Sequence, residues 1–578
     1  MKQNNIRTSV IIVCFGITVC LILLIPQIRQ IIIKITEQYL IGRALIDHTK
    51  WHKVLFSISI IGSIFWGCLF LFFLIDYKKH IIKKIQKAVC NNHKYLTYIS
   101  YMNNEIQKII CKDIVNAILF MFGLYTFAII GIIRADFKYI DDLGRTIYGY
   151  REYNFSRYMS DFLAVFLHAD THINDISPLP QIVAALFVAV ASVLLVYIIS
   201  DCIVTKTACF LSLPIGLSPY FLECISYKFD APYMALSVLA SIVPFLFMRN
   251  TIVFSVSSII SLLIMCMTYQ TSSGIYIIIV IIICFKAWNE RKKTGWEIIR
   301  FAAISASSYC ISMSFFRLFL MKSFDDYVST DTFPIHRLLS GIVNNFISYM
   351  RFVNTDIGFI WKFLLFILLL TFITASVLLT KRNKIASLTV SLIAITAMCV
   401  MSFGVYLALQ RPLFNPRAMY GFGIFIACIT VYLSNIPKKI VLLPAVLLCW
   451  CFFVFSFTYG NALSDQKRYN NFRTEILLHD LSILFPDRIE EPLLIKLKNT
   501  EGYAPSVQNI SKWNPVILRL VPVGLGAVWE WGSIFLTQYY NFYLQQDESI
   551  EEAGLNEIFD SYYHTIKSDG RKILVILK

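Results

Sequence analysis

Two neighbouring carboxylates, Asp141 and Asp142, follow about twenty almost unbroken apolar residues that end at Ile133, and Arg145 comes one helical turn later. Placing a carboxylate inside hydrocarbon costs on the order of 3 kcal/mol. Acidic residues at such a boundary are therefore either solvent-exposed residues that flank the membrane segment or functional residues. Arginine offers a planar fork of donors that suits a phosphate, and one of two adjacent carboxylates can be poised to accept a proton. These residue types suit transfer of a phosphate-linked group to an alcohol, although helix caps and surface ion pairs would give the same pattern.

A second arginine and acid, Arg157 and Asp161, lie in the same stretch, residues 134–180. If both segments are helical, we expect Asp141 to share a face with Arg145, and Arg157 with Asp161. Apolar residues recur at helical spacing in this stretch, at Met159, Phe162, Leu163, Phe166 and Leu167. The run is too short to cross a bilayer, so it predicts an amphipathic helix lying along the outer membrane surface.

The composition predicts the elements that must position these residues. Hydrophobic residues make up 57% of the 578 residues and charged residues only 15%, more apolar surface than a soluble domain can bury. We therefore expect an all-α polytopic membrane protein with about 13 transmembrane helices, since windows of 17 to 25 apolar residues recur along the chain. The predicted spans are 9–26, 54–75, 114–133, 181–200, 207–226, 232–248, 251–268, 274–288, 298–320, 358–380, 386–408, 419–435 and 438–458.

Basic residues determine the predicted orientation. The net charge of +16 comes from clusters between apolar segments rather than from a patch suited to nucleic acid, so we expect no nucleic-acid partner. Short basic loops stay in the cytoplasm, and all four clusters fall there if the N-terminus is cytoplasmic. The clusters are Lys78, Lys79, Lys83, Lys84 and Lys87; Arg291, Lys292 and Lys293; Lys381, Arg382 and Lys384; and Lys438 and Lys439. The predicted outer face then receives residues 134–180, 322–357 and the tail from Asn461.

Three regions are predicted along the chain. Residues 1–112 form an N-terminal extension with two spans and a basic amphipathic segment, KKHIIKKIQK at 78–87. Residues 113–459 form the transmembrane core with the outer loop. Residues 460–578 form a small outer domain of mixed α and β type, with a closing strand at 573–577.

No metal or other cofactor is predicted, although a divalent cation is left open. The 15 cysteines show no metal-binding spacing. The segment HADTH, with His168, Asp170 and His172, follows no helical face and has no fourth ligand in sight, so a polar loop is the better interpretation.

Several motifs resemble the serotype-converting glucosyl transferase II family of bacterial and phage-borne membrane enzymes. The motifs are YIDDLGR at 139–145, GY at 149–150, FSRYMSDFL at 155–163, DISPLPQ at 175–181, RPLFNPRAMYGFG at 411–423 and NALSDQKRYNNFR at 461–473. The resemblance covers approximately 114–578 and implies a GT-C-like fold. The sequence departs from the family's pattern in its N-terminal part, because the acidic motif follows the third apolar segment instead of the first. Residues 1–112 therefore look like an addition.

The resemblance implies an activity. Glucose or another hexose would pass from undecaprenyl phosphate to O-antigen or a related lipid-linked surface glycan, at the periplasmic face of the bacterial inner membrane. Asp141 and Asp142 occupy the position of the general base, without either being singled out. The implied donor phosphate ligands are Arg157, Arg145, Arg411 and Arg417. Sugar or acceptor contacts are expected from Asp161, Tyr150, Asp325 and Asp326.

Two other functions fit many helices and a charged outer loop: a transporter or flippase of lipid-linked sugar, and an O-antigen polymerase. Transporters often carry internal repeats and ionisable residues near the bilayer centre. Here the acids cluster at one interface and no repeat is found, which favours chemistry at the surface. The polymerase would carry a large mid-chain outer loop instead of the motif at 139–145. Membrane lipid and a donor-supplying synthase and flippase are further expected partners.

Overall fold

The computed structural model describes residues 93–109, 111–149, 155–323, 328–485, 493–527, 531–537 and 544–578. The chain divides into two compact units, Met1–Cys111 and Lys112–Lys578. In the first unit the described element is helix α1 (His93–Ile109), on which Lys108 pairs with Glu105. The predicted spans at 9–26 and 54–75 and the basic segment at 78–87 lie outside the described residues.

Helices dominate the second unit, because a helix satisfies its backbone hydrogen bonds within one segment and so suits an apolar sequence in lipid. As far as the structure describes them, they begin with α2 (Lys112–Ala128), α3 (Ile130–Ala135), α4 (Asp141–Tyr148), α5 (Tyr158–His168), α6 (Leu179–Ile199), α7 (Lys206–Leu211), α8 (Pro214–Leu217), α9 (Pro219–Ser226), α10 (Ala231–Ile242), α11 (Thr251–Thr268), α12 (Ser273–Asn289) and α13 (Gly295–Phe315). They continue with α14 (Ile335–Asp356), α15 (Phe359–Leu379), α16 (Lys384–Met401), α17 (Gly421–Ser434), α18 (Leu443–Leu484), α19 (Pro505–Ser511), α20 (Ile517–Leu520) and α21 (Trp531–Thr537).

Seven helical segments of the described chain are long and apolar enough to cross a membrane, and they suggest membrane association. They are Leu179–Ile199, Thr251–Thr268, Gln270–Asn289, Gly295–Leu320, Phe359–Leu379, Lys384–Met401 and Lys439–Leu484. Each corresponds to one predicted span. The total of about 13 stays a prediction.

The other four spans predicted between 114 and 458 are shorter or broken. The segment 207–226 bends by 63° between α8 and α9, where Pro214 and Pro219 remove backbone donors from what would be one helix. The predicted span at 419–435 is α17, only 14 residues long, and nearly all of it is buried against other helices. A helix covered by protein in this way need not match the bilayer thickness. The segments at 114–133 and 232–248 each divide into two pieces.

The C-terminal region is a mixed sheet attached to a long helix. Helix α18 runs for 42 residues, past the predicted boundary at 459/460. The strands β1 (Leu493–Lys498), β2 (Leu544–Gln546), β3 (Asn556–Asp560), β4 (His564–Ser568) and β5 (Lys572–Leu577) have the order β2-β1-β5-β4-β3. Strand β1 is parallel to β2 and β5, whereas β3, β4 and β5 are antiparallel neighbours. The predicted closing strand at 573–577 is β5.

Candidate active site

Helix α4 carries both aspartates, so the segment 141–148 is helical, as the expected shared face of Asp141 and Arg145 requires. Ile140, the residue before it, has φ of 43°, a conformation that is strained for a β-branched side chain. This turn brings the chain from the end of α3 directly into α4. One face of α4 is anchored elsewhere, because Leu143 belongs to the hydrophobic core formed by α18 and the sheet.

Asp142 is buried and connects α4 to the helical core. Its Oδ2 atom accepts hydrogen bonds from the backbone N–H groups of Tyr139 and Lys228, each at 3.0 Å. Burial raises the pKa of Asp142 to about 8 even though these two hydrogen bonds act in the opposite direction. The carboxyl group therefore serves chiefly as a fixed acceptor for two buried donors.

The ammonium group of Lys228 is fixed in turn. It is 3% exposed and pairs with Asp136 and with Asp175, the latter at 2.9 Å. Lys467, on α18, reaches the second oxygen of Asp136 at 3.1 Å. This network joins four separate chain segments, so the backbone N–H that Lys228 gives to Asp142 has a defined position.

Asp141 is only partly covered, and its carboxylate makes no hydrogen bond or ion pair with the described residues. Burial raises its pKa, while the positive charges of Arg417, Arg145 and Arg157 act in the opposite direction. Adjacent helical residues point in different directions. The two carboxylates accordingly lie in different surroundings, and they are separate groups rather than one shared pair.

Two arginines near Asp141 already have acidic partners. Arg145 is buried and pairs with Asp230 instead of forming the expected pair with Asp141. Arg417 pairs with the buried Glu223, which also accepts a hydrogen bond from the Arg417 backbone N–H. These pairs hold positive charge beside the cavity without depending on a ligand.

Arg157 is held differently, by two aromatic rings. Its guanidinium lies 4.6 Å from the ring centre of Tyr269 and 5.2 Å from that of Phe155. It makes no ion pair or hydrogen bond with the described residues. The expected shared face with Asp161 does not form, because Arg157 precedes the first residue of α5 and is not helical.

A cavity of about 320 Å³ lies beside these groups. Arg157 and Arg417 line it together with Gln270 and Tyr406, and the remaining wall is largely apolar. The positive charges of both arginines also act to lower the pKa of Asp141, against the effect of burial. Gln270 also donates a 2.7 Å hydrogen bond to the carbonyl of Phe155, which fixes the segment before Arg157.

The other predicted site residues are less central. Arg411 is exposed, and its carbonyl accepts a 3.1 Å hydrogen bond from the Ser329 N–H, but its side chain does not line the cavity. Asp161 is half-buried in the first turn of α5. Three predicted contacts lie outside the described residues, namely Tyr150, Asp325 and Asp326.

The polar loop predicted at HADTH leads from the end of α5 towards α6. His168 stacks on Phe229 with ring centres 5.8 Å apart. His172 packs against Gly149, where φ is +62° and a Cβ atom would lie 1.8 Å from the imidazole. Within the described ranges no three His, Cys, Asp or Glu side chains are grouped in a way that would hold a metal ion.

The amphipathic helix predicted around 159–167 is α5, and its position along the membrane surface stays a prediction. Met159 and Ala164 are buried, whereas Phe166 is 68% exposed. The apolar stripe is therefore divided between protein and surroundings.

Sequence reasoning missed three charged partners, Glu223, Lys228 and Asp230. A usable signal was present, because all three stand in an otherwise apolar stretch, where an ionisable residue is expected to have a specific partner. Their partners could not be deduced, since Arg417 is 194 residues from Glu223 along the chain.

The structure thus describes a mainly helical protein with long apolar helices and a small sheet. Its candidate site has several arginines and the carboxylate of Asp141, which is unpaired among the described residues. A family model described as glucosyl transferase GtrII matches residues 130–428, just over half of the chain, and the chain belongs to this family. The matched range contains both aspartates and the four predicted arginines. The predicted family is confirmed.

One similar protein comes from Salmonella phage P22 and is named an uncharacterized 55.3 kDa protein in the gtrB 5′ region. It is 25% identical over 453 residues, which cover 74% of this chain and 91% of the relative. No solved structure matches the chain. Membership of a glucosyl transferase family suggests a glycosyltransferase, which uses a sugar donor and a glycan acceptor.

Proposed function

We propose that the protein is an inverting GT-C-like glycosyltransferase that moves glucose, or another hexose, from undecaprenyl phosphate to O-antigen or a related lipid-linked surface glycan. One observation carries the proposal. Asp141 is a carboxylate without a partner among the described residues, and the charges of three arginines act on it, two of which, Arg157 and Arg417, line the cavity. A carboxylate in an ion pair would stabilise the folded structure, whereas an unpaired carboxylate is available to a substrate.

Asp141 is the general base in this proposal. It accepts the proton of an acceptor hydroxyl while that oxygen forms a bond to C1 of the sugar. The bond from C1 to the phosphate oxygen breaks on the opposite side, and the phosphate leaves with the electron pair. Because its pKa is raised by burial, Asp141 is a stronger proton acceptor than a solvated aspartate.

Arg157 is the proposed ligand of the donor phosphate, assisted by Arg417. Its planar fork matches two phosphate oxygens, and its stacking on Tyr269 fixes the plane of the guanidinium. Negative charge builds up on the phosphate as the bond to C1 breaks, so nearby cations stabilise the transition state. The phosphate is a stable anion on leaving, so the reaction needs neither a general acid nor, in this proposal, a divalent cation.

Asp142 and Arg145 are positioning residues. Asp142 holds the first turn of α4 against Lys228, and Arg145 holds the same helix against Asp230. Arg411 is kept as a weaker proposal for the phosphate, and Asp161 for the acceptor.

The periplasmic location of the site is supported by its distance from the basic loops. Helix α12 begins at the cavity, which Ser273 lines, and ends at Asn289. There the carbonyl of Asn289 accepts a 3.1 Å hydrogen bond from the Lys381 N–H, so two predicted cytoplasmic clusters meet. Seventeen helical residues span about 26 Å, close to the thickness of the hydrocarbon core. Basic loops favour the cytoplasm, so the cavity would face the periplasm of the inner membrane.

The proposed transferase has about 13 transmembrane helices and the three regions 1–112, 113–459 and 460–578. Residues 1–112 would contact a synthase or flippase that supplies the donor. Nucleic acid is not a proposed partner.

The proposal is tested by expressing the protein in a strain that makes polyprenyl-phosphoglucose and measuring the mass of its O-antigen repeat. We expect one added hexose, and none with Asp141→Asn. An unchanged repeat with the wild-type protein, or an added hexose with the variant, would contradict the proposal. A flippase would still export lipid-linked sugar with Asp141→Asn and would add no mass by itself.

A further inference from the structure

A second cationic position lies at the exposed end of the cavity. Arg317 and Lys322 line it, and both side chains are exposed. Neither makes an ion pair or a side-chain hydrogen bond with the described residues. With Arg157, the cavity therefore has three positive charges that lack an acidic partner within the part of the chain that the structure describes, and its described lining contains no aspartate or glutamate.

Hydrogen bonds join the segments that carry Arg157 and Lys322. The N–H of Lys322 donates a 2.8 Å hydrogen bond to Ser156 Oγ, and the hydroxyl of Tyr158 donates a 3.0 Å hydrogen bond to the carbonyl of Leu320. The residues on both sides of Arg157 are thus bonded to the segment that carries Lys322.

The number of charges exceeds what one donor needs. The proposed donor is a phosphodiester and carries one negative charge, which leaves two of the three positive charges without a counterion. A glycan linked to a lipid through a diphosphate carries two negative charges. Such an acceptor would supply counterions for Arg317 and Lys322, while the donor phosphate would pair with Arg157.

The surroundings of Arg317 fit a ligand with an apolar tail. It lies in a π-helical turn, Phe316–Leu320, that ends helix α13. Phe315, Leu318 and Phe319 beside it are 45%, 74% and 67% exposed. An amphiphile could place its chain along these side chains and its headgroup at Arg317.

We propose that Arg317 and Lys322 bind the diphosphate of the lipid-anchored acceptor, while Arg157 binds the phosphate of the donor. This inference rests on the proposed function. It assigns the exposed end of the cavity to the acceptor lipid and directs the attached glycan towards Asp141.

The test measures binding by the purified full chain in detergent, with farnesyl diphosphate and farnesyl phosphate as probes. We expect the double variant Arg317→Gln/Lys322→Gln to weaken binding of farnesyl diphosphate about tenfold and that of farnesyl phosphate less than threefold. Arg157→Gln should weaken binding of farnesyl phosphate about tenfold and that of farnesyl diphosphate less than threefold. Arg300→Gln, an exposed position near the start of α13 and outside the cavity lining, is the matched control and should bind both probes as the wild type does.

Other results would overturn the assignment. These are an unchanged affinity of the double variant for farnesyl diphosphate, an equal loss for both probes, or inorganic diphosphate binding as tightly as farnesyl diphosphate. If the double variant bound phosphatidylglycerol more weakly than the wild type does, but bound both farnesyl probes normally, the position would belong to bulk membrane lipid. Arg317→Lys/Lys322→Arg keeps both charges and should restore binding, which separates a lost charge from a damaged fold.

Kinetics separate this inference from the proposed function. Where transfer is measured, the double variant should raise the KM for the acceptor about tenfold and change the KM for the donor and kcat less than threefold. A wild-type protein without transfer activity, but with the expected binding pattern, would refute the transferase proposal and leave the diphosphate site standing.

Discussion

Two groups of charged residues meet at the candidate site, and they differ in whether an opposite charge accompanies each member. In the framework of the site every cation has an acid: Arg145 has Asp230, Arg417 has Glu223, and Lys228 has Asp136 and Asp175. Around the cavity, Asp141 and Arg157 have no such partner among the described residues. The two groups nevertheless lie close enough for their charges to interact.

The difference separates structural charges from charges that serve a ligand. Breaking a buried ion pair leaves an unpaired buried charge and typically costs about 3–5 kcal/mol, so the paired residues are expected to hold the fold. An unpaired charge in a cavity gives the fold no such stability. It has a use only when a substrate supplies the opposite charge or a proton. Substitutions in the two groups should therefore affect different measurements.

The largest effect is expected at Asp141. Asp141→Asn removes the proposed proton acceptor and should lower kcat about 1000-fold, within the range of general base catalysis. Stability should not fall, since the carboxylate has no partner among the described residues and burial disfavours its charged form. Hexose transfer and thermal unfolding in detergent are the two measurements. Asp113→Asn, an exposed position on α2, is the matched control.

Asp141 also predicts a pH dependence. A base must be deprotonated to act, and burial raises the pKa of this one. The rate should therefore fall on acidification at a higher pH than an ordinary aspartate, which titrates near about 4, would give. If the transfer rate began to fall only at pH 4 or below, Asp141 would not be the base.

The next effect is on stability, at the buried pair of α4. Arg145→Met leaves Asp230 without its partner and should lower the free energy of unfolding by about 3 kcal/mol. Arg145→Met/Asp230→Leu removes both charges and should recover most of that loss. Thermal unfolding measures both. A single variant as stable as the wild type would place Arg145 among the ligand-binding charges instead.

Arg157 should behave in the opposite way. Arg157→Gln should lower kcat/KM about 100-fold, because a donor to the developing phosphate charge is lost, with little change in stability. Arg157→Lys keeps the charge but loses the planar fork and its stacking on Tyr269, so it should recover only part of the activity. A large loss of thermal stability in Arg157→Gln would contradict the comparison.

The smallest effect is expected at Asp142. Asp142→Asn keeps an oxygen for the N–H groups of Tyr139 and Lys228, so activity should fall less than tenfold. The folded protein holds the Asp142 proton up to about pH 8, whereas an unfolded aspartate loses it near about 4. The wild type should therefore lose stability relative to the variant as the pH rises from 4 to 8. If the free energy of unfolding changed with pH in the same way in the wild type and in Asp142→Asn, Asp142 would not have the buried surroundings described here.

The sequence predicted local features well and long-range pairs poorly. The closing strand β5 and seven long apolar segments follow from the pattern and length of apolar runs, which are properties of neighbouring residues. The pairing of Arg145 with Asp230 depends on two segments 85 residues apart, and no spacing rule connects them. The same limit hid which aspartate is free, because only the position of Lys228 shows that Asp142 is occupied.

The family was also predictable, since its motifs lie within short stretches. The prolines at 214 and 219 could have warned of a broken helix in the segment 207–226. The 42-residue length of α18 was not evident, because hydropathy ends where the apolar half of that helix ends.

Leu143 has a consequence for how the protein is made. It lies one residue after Asp142 and is buried in the same core as Leu477, Ile495 and Ile573. The ribosome completes the helix that carries the aspartates more than four hundred residues before it reaches this last strand, Lys572–Leu577. During synthesis α4 therefore lacks its packing against the sheet until this strand has been made.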